Sequence, residues 1–195
     1  MKNFIVLCVT LVMSTLLWGG EPMNETIKTI MNRKSVRAYK NEPVAKETLE
    51  LIVRAGMAAP TAVDKRPWEF VVITDRALLK KLSDALPYAK MTEKAAAAIL
   101  VAGDLDRQNG GREADYWIMD CSAAIENMLI AIESLGLGAV WTAVYPNKDR
   151  IESVRQIIKM PSSVMPLALI PIGVPTGVEK PKDKWNPKQV HWNGW

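Results

Sequence analysis

A long apolar helical pattern near the middle of the chain is the strongest constraint on its fold. Between Glu113 and Leu135, apolar side chains occupy almost every face of a helix, among them Met119, Ala123, Ala124, Ile125, Met128, Leu129 and Ile132. A helix that is apolar all round must be buried. Gly136 follows the pattern and can adopt the left-handed conformation that commonly ends helices. We therefore predict a buried helix at the centre of the fold.

Shorter patterns on both sides of this helix predict further helices and strands. Helical spacing of apolar residues indicates helices from Asn24 to Met31, after Pro43 to Met57, from Asp75 to Leu86 and from Asn147 to Ile158. Short apolar runs predict strands at 69–74, 97–102 (bounded by Gly103), 139–144 and 164–174. Because these elements follow no regular β-α-β rhythm, we expect an α+β sandwich with a four- or five-stranded sheet around the central helix.

The composition narrows the chemistry that is open to the chain. Its 195 residues fit one globular domain, and 49% apolar with 24% charged residues exclude a chain that is disordered throughout. A net charge of +4 is too weak to indicate nucleic-acid binding. Two cysteines and one histidine exclude a disulfide framework, a cysteine-based zinc site and most histidine-dependent catalysis. If the protein is an enzyme, we expect a cofactor to carry the chemistry.

The N-terminus has the pattern of an export signal. Lys2 precedes a 14-residue apolar run from Phe4 to Leu17. A spanning helix needs ~20 such residues and a signal peptide needs ~7–15, so we predict a signal peptide over residues 1–20 and no stable membrane anchor. Cleavage would make the protein periplasmic or secreted. Trp18 is a poor cleavage residue, so a start at Met23, giving a cytoplasmic protein, and a buried N-terminal helix stay open.

The last segment, residues 175–195, has neither helical nor strand periodicity. It carries three prolines and three tryptophans: Pro175, Pro181, Pro187, Trp185, Trp192 and Trp195. Three tryptophans on a free tail would expose a large apolar surface. We therefore expect this C-terminal tail to pack either on its own domain or on a partner subunit.

Two basic clusters are candidates for binding an anion. The first consists of Arg33, Lys34, Ser35 and Arg37, and the second lies in the tail at Lys180, Lys182 and Lys184. Arginine binds phosphate through paired N–H groups, but a solvated basic turn explains the first cluster more simply. The clusters become informative only if they meet in space. The sequence contains neither a Gly-x-Gly-x-x-Gly nor a P-loop motif for phosphate.

The remaining candidates for catalysis or metal binding are better explained by structural roles. The acidic residues between the second strand-like run and the central helix do not have the spacing of a calcium loop, and we interpret them as solvated: Asp104, Asp106, Glu113 and Asp115. We interpret Cys121 as a small buried hydrophobe and His191 as a packing or surface residue.

An ordered series of motifs identifies a family resemblance. The series is Arg33-Lys34-Ser35-Val36-Arg37, the run from Ala59 to Phe70, Asp120-Cys121-Ser122-Ala123-Ala124 with Asn127-Met128-Leu129, Leu135 to Trp141, Pro171 to Pro175, and the late Lys182-x-Lys184. In this order the motifs resemble those of the FMN-dependent nitroreductase family over about residues 24–195. The resemblance implies a mainly antiparallel sheet, an FMN-binding domain over 24–174 and a domain-swapped tail over 175–195.

The resemblance also implies a cofactor site that is shared between two subunits. It assigns FMN contacts to the basic segment, to a loop contributed by the other subunit, to backbone groups after Trp141 and to the late lysines. The residues are Arg33, Lys34, Ser35, Arg37, Pro60, Thr61, Ala62, Asp64, Thr142, Ala143, Lys182 and Lys184. Family members are homodimers with two FMN at the interface, and their tails wrap the partner.

The sequence departs from the family pattern in ways that matter for the flavin. Asp64 stands where asparagine is common, and an acid there would disfavour an anionic reduced flavin unless Lys65, Arg66 or Arg37 offsets its charge. Lys34 and the tail lysines stand where arginine is frequent. The segment before the central helix is short, so the roof over the site is smaller than in longer relatives.

The function implied by the resemblance is an FMN-dependent oxidoreductase with NADH or NADPH as donor. It would reduce nitroaromatics, quinones or similar electron-poor acceptors by ping-pong hydride transfer through flavin N5, without a protein acid or base. Three alternatives stay open: reductive dehalogenation or flavin breakdown on the same fold, flavin storage without turnover, and single-stranded nucleic-acid binding by the Lys/Trp tail. No metal is expected.

Overall fold

The computed structural model describes residues 23–195 and contains five helices and five strands within that range. The helices are α1 (Glu25–Asn32), α2 (Lys46–Met57), α3 (Arg76–Ala85), α4 (Tyr116–Ser134) and α5 (Lys148–Ile158). The strands are β1 (Trp68–Ile73), β2 (Ala97–Asp104), β3 (Gly138–Ala139), β4 (Thr142–Ala143) and β5 (Val164–Gly173). The predicted signal peptide lies outside the described residues, so it stays a prediction.

The strands form one antiparallel sheet, as expected. Its order is β1-β2-β5-β3, and β4 also pairs with β5. The single strand expected at 139–144 is wrong, because β3 and β4 are separate pieces on the same edge of β5. Ala139 pairs with Ile172 and Thr142 with Leu169, so the interrupted register would place Val140 opposite Pro171. Proline has no N–H to donate, which explains why the ladder breaks at that point.

The helices cover the two faces of the sheet and divide the core into two layers. On one face, the side chains of Ile99, Val101 and Ile170 pack with α2 and α4. On the other face, Leu100 and Leu169 pack with the buried leucines of α3 and with α5. Alternate residues of β2 and β5 therefore point into different layers, as the two-residue period of a strand requires. This arrangement confirms the predicted α+β fold.

The structure confirms the central helix, which begins later in the chain than the sequence predicts. α4 begins at Tyr116 rather than Glu113, and Gly136 ends it with a φ of +70°. Its side chains at Cys121, Ile125 and Met128 are fully buried against the sheet. Met119 is 58% exposed. Although α4 is apolar on almost every face, one chain alone therefore does not bury all of those faces.

Side-chain caps fix where three helices begin, at the residues expected from the sequence. Asn24, Asp75 and Asn147 each accept a hydrogen bond from the backbone N–H three residues later, at 2.8–3.0 Å. Such caps satisfy an N–H that the helix cannot pair internally. Within the described range 23–195, none of the helices has the length and apolarity needed to cross a bilayer.

The tail does not bury its tryptophans on its own domain. Trp185, Trp192 and Trp195 are 72%, 86% and 104% exposed in the single chain. The segment is irregular except for a 3-10 turn over Pro187–Gln189. His191 is exposed and stacks on Trp195 with ring centroids 4.4 Å apart, in agreement with a surface role. The tryptophans therefore do not pack on their own domain, although the start of the tail contacts it. Packing of the tryptophans on a partner subunit stays a prediction.

Two glycines allow close contacts between elements. A Cβ at Gly103 would lie 2.6 Å from the ring of Trp117, so this glycine makes room for a core tryptophan. It does not bound the strand as expected, since β2 continues to Asp104. A Cβ at Gly138 would lie 2.6–2.9 Å from three side-chain atoms of Val36. Gly138 therefore lets the segment after α1 lie directly against β3.

Substituting Gly138→Ala should lower the free energy of unfolding by ~1–3 kcal/mol, the range for overpacking a core. Val36 is buried and β-branched, so its side chain cannot turn away from the added methyl group. Urea unfolding measures the effect. Gly194→Ala is the matched control, because nothing lies within 4 Å of the position where its Cβ would be. Equal midpoints for both variants would contradict the close packing at Gly138.

Candidate functional site

The basic segment after α1 is held in place by backbone hydrogen bonds on two sides. On one side, the N–H of Val36 donates to the carbonyl of Ala139 in β3 at 2.8 Å. On the other side, the N–H of Lys40 donates to Val174 at 2.8 Å, and the N–H of Thr176 donates to Ala38 at 3.1 Å. The segment is therefore fixed between the sheet edge and the start of the tail.

This arrangement brings the two basic clusters together. They line one cleft with a volume of about 380 Å³, whose walls are formed by Arg33, Lys34, Ser35, Arg37, Glu179, Lys180, Lys182 and Lys184. The clusters are separated by more than 140 residues in sequence. Because they lie close together in the fold, the two clusters now support the anion site that neither indicates alone.

The donors of the cleft suit a phosphate-bearing ligand. The residues that line the cleft include six cationic side chains, one serine hydroxyl and a single carboxylate. Phosphate oxygens accept charge-assisted hydrogen bonds from such groups. The residues present therefore fit the phosphate end of the cofactor that the family resemblance implies.

Two of the cations are already paired with carboxylates of α4. The Nε atom of Arg33 forms an ion pair with Oε1 of Glu126 at 3.1 Å, which leaves the two terminal nitrogens of Arg33 available to a ligand. Lys34 donates to both carboxylate oxygens of Glu133 at 2.8 and 3.1 Å, and both side chains are about four-fifths buried. Glu133 therefore neutralises much of the charge of Lys34, and we expect Lys34 to contribute less to anion binding than Arg33 or Arg37.

A half-buried tyrosine supports the floor of the segment. The hydroxyl of Tyr39 lies 2.8 Å from the carbonyl oxygen of Val36 and 3.1 Å from that of Pro171. Burial, together with the negative charge of Glu179, raises the pKa of Tyr39 well above its ordinary value. The hydroxyl therefore stays protonated and can donate at physiological pH.

The second predicted contact region is a strained loop at residues 60–66. Three non-glycine residues in it have positive φ angles: 51° at Val63, 55° at Asp64 and 48° at Arg66. Such conformations cost energy and occur most often at functional sites. The N–H of Arg66 donates to Thr61 Oγ1 at 3.1 Å, which closes the loop on itself.

Asp120 of α4 fixes this loop from the core side. Its side chain is 5% exposed, and its Oδ1 accepts the N–H of Ala62 at 2.8 Å. Its Oδ2 is buried with no hydrogen-bond partner among the described residues. Asp120 thus links the buried helix to the strained loop.

Arg66 offsets the charge of Asp64. Its guanidinium donates to both carboxylate oxygens, with the Nε–Oδ1 distance at 2.7 Å. These hydrogen bonds from Arg66 lower the pKa of the Asp64 carboxyl, so the pair stays ionised at neutral pH. Lys65, Arg66 and Arg37 were the cations expected to offset the charge of Asp64, and Arg66 is the one that pairs with it.

The structure does not bring all of the predicted residues to one place within one chain. The cleft collects Arg33, Lys34, Ser35, Arg37, Lys182 and Lys184, whereas its lining omits the 60–64 loop and β4. Thr142 is buried in β4 and donates through Oγ1 to the carbonyl of Leu169 at 2.5 Å. Its side chain therefore serves the sheet. The cofactor contacts of Pro60, Thr61, Ala62, Asp64, Thr142 and Ala143 stay predictions.

Most of the residues given structural interpretations behave accordingly. Cys121 is fully buried, and burial raises its pKa to about 12, so it is not a nucleophile. Asp106 pairs with Arg112 at the surface, whereas the side chain of Asp104 is only 19% exposed and pairs with Arg107, so Asp104 is less solvated than expected. No cluster of three potential metal ligands occurs in the part of the chain that the structure describes.

The sequence reasoning missed the roles of four acidic residues of the site: Asp120, Glu126, Glu133 and Glu179. Asp120 stands alone as an acid among the buried positions of an apolar helix, and that mismatch was a usable signal. Glu126 and Glu133 lie seven residues apart, which places them on one face of a helix. Glu179 carried no such signal, since its role depends on contacts between distant parts of the chain.

Comparison with known proteins gives a consistent result. The family model described as "Nitroreductase family" matches residues 30–87 and 84–174. A protein from Methanothermobacter thermautotrophicus is 39% identical over 173 residues, which cover 88% of each chain. A crystal structure from Parabacteroides distasonis is 51% identical with a TM-score of 0.83, covering 89% of this chain and 100% of its own. Both carry the name "Putative NADH dehydrogenase/NAD(P)H nitroreductase".

A further solved structure is named for its cofactor. It is an FMN-dependent nitroreductase from Clostridium difficile, 29% identical with a TM-score of 0.79. The alignment covers 87% of this chain and 99% of that one. The similarity therefore extends over most of this chain and nearly all of the other, rather than over one motif.

Substituting Asp120→Ala should destabilise the protein, because it leaves the N–H of Ala62 without its acceptor. We expect a loss toward the lower end of ~1–3 kcal/mol in the free energy of unfolding, since removing the unpartnered Oδ2 offsets part of the cost. Asp120→Asn retains an acceptor and should lose less. Urea unfolding with Asp84→Ala, an exposed aspartate on α3, provides the control. Equal stability of Asp120→Ala and wild type would contradict the link.

Proposed function

Because this chain belongs to the nitroreductase family, we propose that it reduces nitroaromatics, quinones or related electron-poor acceptors at a flavin site. It is an FMN-dependent NAD(P)H oxidoreductase, in line with its relatives named for FMN and for NAD(P)H nitroreductase activity. When bound, FMN accepts a hydride from the nicotinamide donor and passes it to the acceptor. The observation that carries the proposal is the convergence of two distant basic clusters on one cleft.

The phosphate of FMN binds in this cleft. Arg33 and Arg37 supply paired N–H donors, and Lys182 and Lys184 approach from the tail. Ser35 adds a hydroxyl at the same wall. These contacts hold one end of the cofactor and so orient its ring, which is the protein's main contribution where the cofactor does the chemistry.

The strained loop forms the second contact with the flavin. Its conformation is fixed by Asp120 and by the Thr61–Arg66 hydrogen bond, so it needs no reordering when a ligand binds. The Asp64–Arg66 pair carries no net charge, which removes the objection that an acid at this position opposes a reduced anionic flavin.

The proposed active form is a homodimer with two FMN. The cleft and the strained loop are separate half-sites in one chain, and a partner can bring them together. Large apolar side chains are also exposed in the single chain, among them Ile27, Ile30 and Met31 on α1 and the three tail tryptophans. Exposed apolar side chains of this size and number favour a subunit interface.

The purified protein should be yellow and should oxidise NADH or NADPH with a quinone or nitroaromatic acceptor.

The double variant Lys182→Ala with Lys184→Ala should keep the fold but bind FMN about ten- to a hundredfold more weakly, because hydrogen bonds to charged groups contribute ~1.5–3 kcal/mol. Fluorescence titration of FMN measures this. The matched control, Lys81→Ala with Lys148→Ala, removes the same charge outside the cleft. Equal affinities in both variants would contradict the phosphate assignment.

Ending the chain at Gly173 should give aggregated or flavin-free protein. Each buried tryptophan removes ~150–250 Å² from water, so three contribute on the order of 10 kcal/mol before the entropy of ordering the tail. The truncation also removes all of the tail lysines. Light scattering and the flavin spectrum report the outcome. A full-length, flavin-loaded protein that scatters as a monomer would contradict the dimer, and a truncated protein that stays dimeric and yellow would contradict the role of the tail.

A further inference from the structure

The tail is tied to the basic segment by a short series of backbone contacts that ends before the lysines. Lys40 and Val174 share one hydrogen bond, and Thr176 and Ala38 share the next. The chain then turns at Gly177, whose φ is +88°. Beyond Thr176, the backbone-to-backbone hydrogen bonds found in the described residues are local ones near the 3-10 turn at 187–189. Backbone pairing alone therefore does not determine where the lysines lie.

Glu179 supplies the next contact, immediately before those lysines. Its Oε1 accepts the backbone N–H of Arg37 at 2.7 Å and that of Ala38 at 3.1 Å. Hydrogen bonds from N–H groups to a carboxylate are charge-assisted and stronger than neutral ones. One side-chain oxygen thus binds the middle of the basic segment to the tail, one residue before Lys180.

The position of this carboxylate is unfavourable for an electrostatic role. Glu179 is the one carboxylate among the residues that line the cleft, and its Oε2 is buried without a partner within the described chain. A negative charge there weakens the attraction for a phosphate, and a buried unpartnered oxygen costs free energy. Electrostatics would favour a neutral residue, so a compensating contribution must come from the geometry that the carboxylate imposes.

We infer that Glu179 is a positioning residue that holds Lys180, Lys182 and Lys184 opposite Arg33 and Arg37. By accepting two adjacent N–H groups of the basic segment, it fixes the distance between the two walls of the cleft. It acts on FMN through the lysines and does not itself bind the phosphate. This inference rests on the proposed function, because it takes the cleft to be the phosphate site.

Whether substitution of Glu179 raises or lowers the Kd for FMN distinguishes a positioning role from an electrostatic one. If Glu179 acted only through its charge, both Glu179→Ala and Glu179→Gln would bind FMN more tightly. As a positioning residue, Glu179→Ala loses the acceptor and should raise the Kd for FMN at least tenfold. Glu179→Gln keeps an oxygen acceptor in the same place and loses the repulsive charge, so its Kd should stay within about threefold of wild type.

The experiment is a fluorescence titration of the full chain with FMN for wild type and both variants. Glu113→Ala, an exposed acid outside the cleft, is the control for the change of charge. On the background of Lys180→Ala, Lys182→Ala and Lys184→Ala, the further change Glu179→Ala should raise the Kd by no more than about twofold, because the lysines through which it acts are gone. A full tenfold effect on that background would overturn the inference, and so would unchanged or tighter binding by Glu179→Ala alone.

Hydrogen exchange of the flavin-free protein tests the contact without reference to the cofactor. In Glu179→Ala the amides of Arg37 and Ala38 should exchange at least tenfold faster than in wild type, while Glu179→Gln should protect them in part. Unchanged exchange in Glu179→Ala would overturn the inference. Failure of the wild-type protein to bind FMN would instead refute the proposed function, and the exchange result would still report on the contact.

Discussion

The burial of α4 against the antiparallel sheet is the interaction on which the rest of the structure depends. Its apolar residues fill one of the two core layers, and β2 and β5 supply the other side of that layer. A helix held this firmly is a rigid reference for anything attached to it. Both halves of the candidate site are attached to it, although they are distant from each other in sequence.

Three carboxylates of α4 make those attachments. Asp120 binds the N–H of Ala62 in the strained loop, Glu126 binds Arg33 and Glu133 binds Lys34. The apolar face builds the core, and the few acids on the same helix orient the groups that face a ligand. Side chains on rigid elements hold binding geometry better than loops do, and here the helix passes that rigidity to two loops. An acid that looks out of place in an apolar helix is therefore informative about the site.

Local features of the fold followed from the sequence, and features that depend on register or on distant contacts did not. The caps at Asn24, Asp75 and Asn147 were predictable because each acts within three residues of itself. The break between β3 and β4 was not, because it requires knowing that Val140 falls opposite Pro171. Similarly, the basic cluster at 33–37 was visible, but the pairing of Lys34 with Glu133, 99 residues away, was not.

The strained loop shows why local sequence rules fail at a site of this kind. Val63 is a β-branched residue with a φ of 51°, a conformation that its own preferences strongly oppose. The side chain of Val63 does little to offset that cost, since it is 76% exposed. The offsetting contacts lie on either side of it, in the Asp120–Ala62 and Thr61–Arg66 hydrogen bonds. Because Asp120 belongs to the buried helix, the loop cannot relax without disturbing the core, and that dependence keeps a strained segment in one conformation before any ligand arrives.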